Sequence, residues 1–124
     1  MYQIGGILLG GAIGALLRFL VANGVYQWLG RSFPYGTLAV NVVGSFFIGL
    51  LTYYFVEREL LTSALSRGLI VGVLGAFTTF STFSLDTFDL LQEGRLWGAV
   101  LNAGLNVGLC LLAVWLGVQA GRSI

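Results

Sequence analysis

Apolar residues run along this chain in four long stretches separated by short polar intervals. The stretches cover about 4–28, 37–56, 67–91 and 96–118. A helix needs about 20 apolar residues to cross a hydrocarbon layer of about 30 Å, and each stretch is roughly that long. Charge and turn signals fill the intervals: Arg31 with the lone Pro34, then Glu57-Arg58-Glu59, then Gln92-Glu93-Gly94-Arg95. The pattern predicts an all-α integral membrane protein, a single domain over 1–124 with four transmembrane helices.

Polar and small residues inside the stretches are the informative departures. In the first, Gly6, Gly10 and Gly14 recur every four residues, a face on which another helix can approach closely. Arg18 interrupts the same stretch. An arginine near a span centre costs about 2.5–3.5 kcal/mol on insertion scales, so Arg18 is expected to snorkel, to bind backbone carbonyls or to line an anion vestibule. The second stretch holds one strongly polar group, Asn41, followed by Gly44, Ser45 and Gly49. A lone amide in such a helix either cross-links helices, the commoner role, or donates to a ligand. In the fourth, Asn102, Asn106 and Cys110 lie four apart and share a face, and Gly104 and Gly108 form a further small-residue pair. Amides in register face protein or water rather than lipid.

The third stretch is the least like an anchor. From Gly72 to Ser84 it reads Gly-Val-Leu-Gly-Ala-Phe-Thr-Thr-Phe-Ser-Thr-Phe-Ser. Glycine tolerates unusual backbone angles, and hydroxyls at bilayer depth must find partners. A third helix broken mid-membrane between Gly75 and Thr79 is therefore expected, which a bilayer tolerates only where the backbone is buried in protein or lines a cavity. Beyond it, Phe77, Phe80 and Phe83 are expected to form one stripe, with Thr79, Thr82, Asp86 and Asp89 as a polar stripe beside it.

Composition fixes the class. The chain of 124 residues is 57% hydrophobic and only 9% charged, against about 25% charged in an ordinary soluble domain. The first stretch lacks a basic leader and a clear small-residue cleavage site, so it is expected to be a span and not a cleaved signal. Cys110 is alone, and with no histidine no zinc or haem site is expected. All six basic residues are arginine. With four spans, Arg58, Arg67 and Arg122 fall on the side of the termini, and Arg31 and Arg95 on the other, with Arg18 near that end of its span. Such a balance gives the positive-inside rule almost nothing to act on. Insertion both ways, and pairing of two opposed copies as a dual-topology antiparallel homodimer, is expected.

No acid–base constellation for catalysis is visible, so the chain is not expected to be an enzyme, and no nucleic-acid partner is implied. An anion pathway fits the residues better. Aromatic ring edges are electropositive, and hydroxyl and amide donors can replace hydration water. Phe80 and Phe83 supply edges, and Thr79, Ser81, Thr82, Ser84, Asn41 and Asn106 supply donors. Carbonyls freed at the break suit a small hard cation. A small proton-coupled exporter is a second reading, with Asp86 its carboxylate. A non-transporting membrane assembly subunit is a third.

Gly-Thr-Leu-x-x-Asn at Gly36–Asn41, Gly-x-x-Thr-Thr-Phe-Ser-Thr-Phe-Ser at Gly75–Ser84 and Leu-Leu-Gln-Glu-Gly-Arg at Leu90–Arg95 resemble the small fluoride-channel family (Fluc, also called CrcB) across essentially the whole chain. The resemblance implies a passive fluoride-selective channel in a bacterial-type inner membrane, an antiparallel homodimer with two pores that lowers cytoplasmic fluoride. It implies that Phe80 and Phe83 contact fluoride, that Asn41 is the pore asparagine and that Thr79, Ser81, Thr82 and Ser84 belong to a polar track. Asn106 matches a polar pore-side position of the fourth span, and Arg18 the basic residue of the first. The carbonyls of Gly75 and Thr78 match those that hold a central, structural sodium ion (Na+).

Overall fold

In a computed structural model, which describes residues 2–124, the chain is helical, with no strand among the described residues. Helix α1 spans Tyr2–Leu29. Its 28 residues reach about 42 Å at about 1.5 Å each, longer than the hydrocarbon it has to cross. Helix α2 spans Tyr35–Leu51 and runs on as a wider π-helical turn through Thr52–Val56. The third stretch is composite. Helix α3, Ser63–Arg67, continues as a π-helix over Gly68–Leu74 and a short α4, Gly75–Phe77, and after Thr78 and Thr79 helix α5 runs Phe80–Gln92. Helix α6 spans Leu96–Ser123. Four helical segments, Tyr2–Leu29, Tyr35–Val56, Ser63–Gln92 and Leu96–Ser123, are long and apolar enough to cross a membrane.

The helices meet along two main seams. Helix α1 lies along the π-helical stretch of the third segment, and α2 lies along α6. The expected glycine face of α1 is turned inward at the first seam. A Cβ on Gly10 would collide with the Gly68 carbonyl oxygen, and one on Gly14 with that of Val73, while from the other side a Cβ on Gly72 would stand 3.0 Å from the Gly10 Cα. The glycines are there for close approach. At the second seam Gly117 of α6 meets the Phe46 carbonyl in the same way. Gly104 and Gly108 have open space around them within the chain.

Outside these seams the surface is apolar. Leu8, Leu9, Trp97 and Leu111 are each at least two-thirds exposed, as a lipid-facing surface requires. Tyrosine–arginine pairs mark the helix ends: the Arg31 guanidinium lies 4.5 Å from the Tyr26 ring centroid, Arg58 4.8 Å from Tyr54 and Arg122 4.7 Å from Tyr53. Arg58 also donates to the carbonyls of Gly121 and Arg122 at 3.0 and 3.3 Å, supplying partners at the C-terminal turn of α6 where helical donors have run out.

Candidate functional site

The site forms where the third segment leaves helical geometry. Thr78 and Thr79 are extended, with φ/ψ of −85°/162° and −153°/123°. The sequence reading expected the interruption to run from Gly75 with glycine supplying unusual angles, but Gly75 is helical. Extended angles are open to any residue, so no glycine is needed at the departure itself. The same two residues reset the helical phase. Phe77 is therefore buried before the departure while Phe80, after it, is 77% exposed, and the expected single stripe of three phenylalanines reduces to the Phe80–Phe83 pair, with ring centroids 5.4 Å apart and planes at 58°.

Thr79 precedes α5 as its cap, so its carbonyl is in helical pairing while its N–H has no helical partner, and a side chain from α2 reaches both groups. The Thr79 N–H donates to Asn41 Oδ1 at 2.8 Å, and Asn41 Nδ2 donates to the Thr79 carbonyl at 3.1 Å. One carboxamide thus does for Thr79 what a neighbouring strand would do. The second Nδ2 hydrogen of Asn41 goes to Asn106 Oδ1 on α6, 3.0 Å away. The Thr79 hydroxyl accepts from the Thr82 N–H at 3.2 Å and so caps α5. It also donates to Thr82 Oγ1 at 3.1 Å. Thr78 keeps contact with the preceding turn, both its N–H and its hydroxyl reaching the Leu74 carbonyl at 3.1 Å. In a continuous helix the Thr79 N–H would serve the Gly75 carbonyl. Its turn to Asn41 releases that oxygen.

A cavity of about 320 Å³ opens at this point, lined by Asn41, Gly75, Thr78, Thr79, Phe80, Phe83 and Asn106 of the candidate set, together with Gly44, Ser45, Val107 and Cys110. Ser81, Thr82 and Ser84 do not line it; they lie on the exposed side of α5, and the Ser84 hydroxyl donates to the Phe80 carbonyl of its own helix at 3.0 Å. Arg18 is half-buried on α1 and does not line this cavity.

The sequence reading left several polar residues out of its candidate set. Ser45 follows Asn41 by one helical turn, a signal that was available, and it lines the cavity. Asn102 is fully buried; its Nδ2 donates to Thr87 Oγ1 at 2.9 Å, and Asn106 Nδ2 donates to its Oδ1 at 3.0 Å and its carbonyl at 2.9 Å. Its place on the Asn106 face was legible; its partner on α5 was not. The Thr37 hydroxyl donates to Asp86 Oδ2 at 2.7 Å. Asp86 and Asp89 share a second cavity of about 190 Å³ with Tyr26, Arg31, Glu93 and Arg95, beside the loops.

The family model described as "CrcB-like protein, Camphor Resistance (CrcB)" matches residues 6–118. The chain belongs to the CrcB family. Among curated CrcB relatives, a protein of Magnetococcus marinus is 54% identical over 98% of this chain and 99% of its own length. One of Methylococcus capsulatus is 53% identical over 95% of this chain, which spans 52% of that longer relative. One of Geobacter sulfurreducens is 49% identical over 92% of each. All three are named "Fluoride-specific ion channel FluC". Membership of the CrcB family together with four membrane-capable helices makes this a multi-pass membrane protein.

Proposed function

We propose that the chain is a passive, fluoride-selective channel of a bacterial inner membrane that lowers cytoplasmic fluoride. The observation that carries this reading is the cavity at the Thr78–Thr79 departure, where two phenylalanine rings meet hydroxyl groups with no full positive charge among the lining residues. Electropositive ring edges and neutral donors can replace water around a small anion yet bind it weakly enough for release. The identity of the ion comes from the names of the relatives. The chain works as a transporter and not as an enzyme.

In this reading the third helix is broken mid-membrane and two copies pair antiparallel, with two pores. Phe80, Ser81, Thr82 and Ser84 are exposed on a single chain, and hydroxyls turned to lipid are costly, so a second copy is their natural cover. Phe80 and Phe83 offer edges to fluoride, with Thr79, Ser81, Thr82 and Ser84 as the polar track, Asn41 and Asn106 beside it, and Arg18 structural or at a vestibule. A sodium ion at the dimer centre is held by the carbonyls of Gly75 and Thr78. The fit is chemical: the Gly75 oxygen is released from helical pairing, and hard monovalent cations take carbonyl oxygens. The ion ties the backbones together at the centre; the chain's own residues carry the anion.

The test is ion efflux from liposomes holding only the purified protein, read with a fluoride electrode and repeated with chloride. Rapid, voltage-driven loss of fluoride without chloride is expected. Loss of neither from folded dimer would remove the channel reading. The half-buried Asp86, bonded to Thr37, keeps a proton-coupled exporter as the second reading, and flux that follows a pH gradient and disappears in Asp86→Asn would favour it. A non-transporting assembly subunit would leave both ions trapped.

A further inference from the structure

Five of the polar contacts among α2, α5 and α6 form one directed chain. The Thr79 N–H donates to Asn41 Oδ1 at 2.8 Å, and Asn41 Nδ2 donates to Asn106 Oδ1 at 3.0 Å. Asn106 Nδ2 donates to Asn102 Oδ1 at 3.0 Å, Asn102 Nδ2 to Thr87 Oγ1 at 2.9 Å, and the Thr87 hydroxyl to the Phe83 carbonyl at 2.8 Å. Every link points the same way, and both ends are backbone groups of the segment carrying Phe80 and Phe83. A backbone N–H can only donate and a carbonyl can only accept, so the two ends dictate the orientation of every amide between them. Turning any one over would set donor against donor or acceptor against acceptor. The middle of the chain is shielded, with Asn102 0% exposed and Asn106 6%, where an unmade hydrogen bond costs most.

We propose that Asn102 is a positioning residue for the pore. Acting through Asn106 and Asn41, it holds the extended Thr79 peptide and with it the start of α5, on which Phe80 and Phe83 stand. Asn102 does not line the cavity; it works through the amides that do. The Nδ2 groups of Asn41 and Asn106 are both already donating inside the protein, which leaves hydroxyls such as that of Ser45, with no hydrogen bond among the described residues, as the donors open to the cavity. The role in conduction rests on the fluoride-channel reading; the relay itself does not.

The experiment separates the two. Protein labelled with 15N-threonine is placed in lipid nanodiscs, and hydrogen exchange at the Thr79 amide is followed alongside fluoride efflux from liposomes. Asn102→Leu removes both polar groups, and Thr87→Val keeps the shape of its side chain but loses the hydroxyl. Both are expected to speed exchange at Thr79 by about tenfold or more, though neither residue touches it, and to slow fluoride efflux by about tenfold or more. Thr87→Ser restores the hydroxyl and is expected to restore both readings. Exchange at Thr79 unchanged in Thr87→Val would overturn the relay. Altered exchange with efflux within about twofold of the parent would overturn its role in the pore. Should Asn102→Leu fail to fold, Thr87→Val and Thr87→Ser decide the matter. A parent protein that passes no fluoride would instead sink the channel reading and leave the exchange result to judge the relay alone.

Discussion

The two helix seams solve the same problem by opposite means. Along α1 and the π-helical Gly68–Leu74, side chains are deleted: Gly10 and Gly14 let backbone meet backbone at Gly68 and Val73. Between α2, α5 and α6 at the level of Thr79, side chains are added, and carboxamides bridge the helices. Lipid tails are as apolar as leucine, so neither seam is driven by burial from water. The glycine seam relies on dispersion at close range, which fixes a distance. The amide seam relies on directed bonds, which fix an orientation as well. Orientation is what a site built on two ring edges and an extended peptide requires, and there the polar seam is found. Lower down α6, at Gly117, the α2–α6 contact returns to the glycine solution.

The largest expected effect comes from crowding the steric seam. Gly10→Val puts a branched side chain where even a Cβ collides with the Gly68 carbonyl. A loss of about 3 kcal/mol or more is expected, seen as loss of folded protein on titration with SDS. Next is the polar seam. Asn41→Ala leaves the Thr79 N–H and Asn106 Oδ1 without that partner and takes one of two donors from the Thr79 carbonyl, at about 1–3 kcal/mol for each group left unsatisfied where it is buried. Equal losses in the two variants would erase the distinction between distance and orientation. Phe80→Ile touches neither seam: its stability is expected within about 0.5 kcal/mol of the parent, as for exposed positions, while fluoride efflux disappears. The smallest effect is expected for Gly108→Ala, since Gly108 has open space around it. Its fold should be unchanged to within about 0.5 kcal/mol, and a shift of the proposed dimer to monomer on a sizing column would reveal instead that a second copy packs on this face.

The glycine seam was half legible in the sequence. The spacing of Gly6, Gly10 and Gly14 announces a close-packing face, but Gly68 and Gly72, its partners, lie in a π-helical stretch whose register no 3.6-residue periodicity describes. The interruption was legible as chemistry more than as geometry. The cluster of hydroxyls and glycines marked the right segment, whereas the assumption that glycine makes the bend pointed to Gly75 instead of Thr78 and Thr79. Phe77 was misgrouped for the same reason, because a helical stripe cannot be continued across two extended residues. Of the candidate site, Asn41, Thr79, Phe80, Phe83 and Asn106 meet at one cavity, and Ser81, Thr82, Ser84 and Arg18 lie away from it in the single chain.

The sequence by itself determined the membrane class, the four helical segments and the residue types at the site. Hydropathy and charge act locally and accumulate along the chain, so they can be summed from residues alone. Only the tertiary structure decided that one carboxamide would reach both the N–H and the carbonyl of Thr79, and that Asn102, Asn106 and Asn41 would all point their amides one way. Those bonds join residues 38 and 65 positions apart. The direction of each is set by the next, and by backbone groups at the two ends, once packing has brought three helices together.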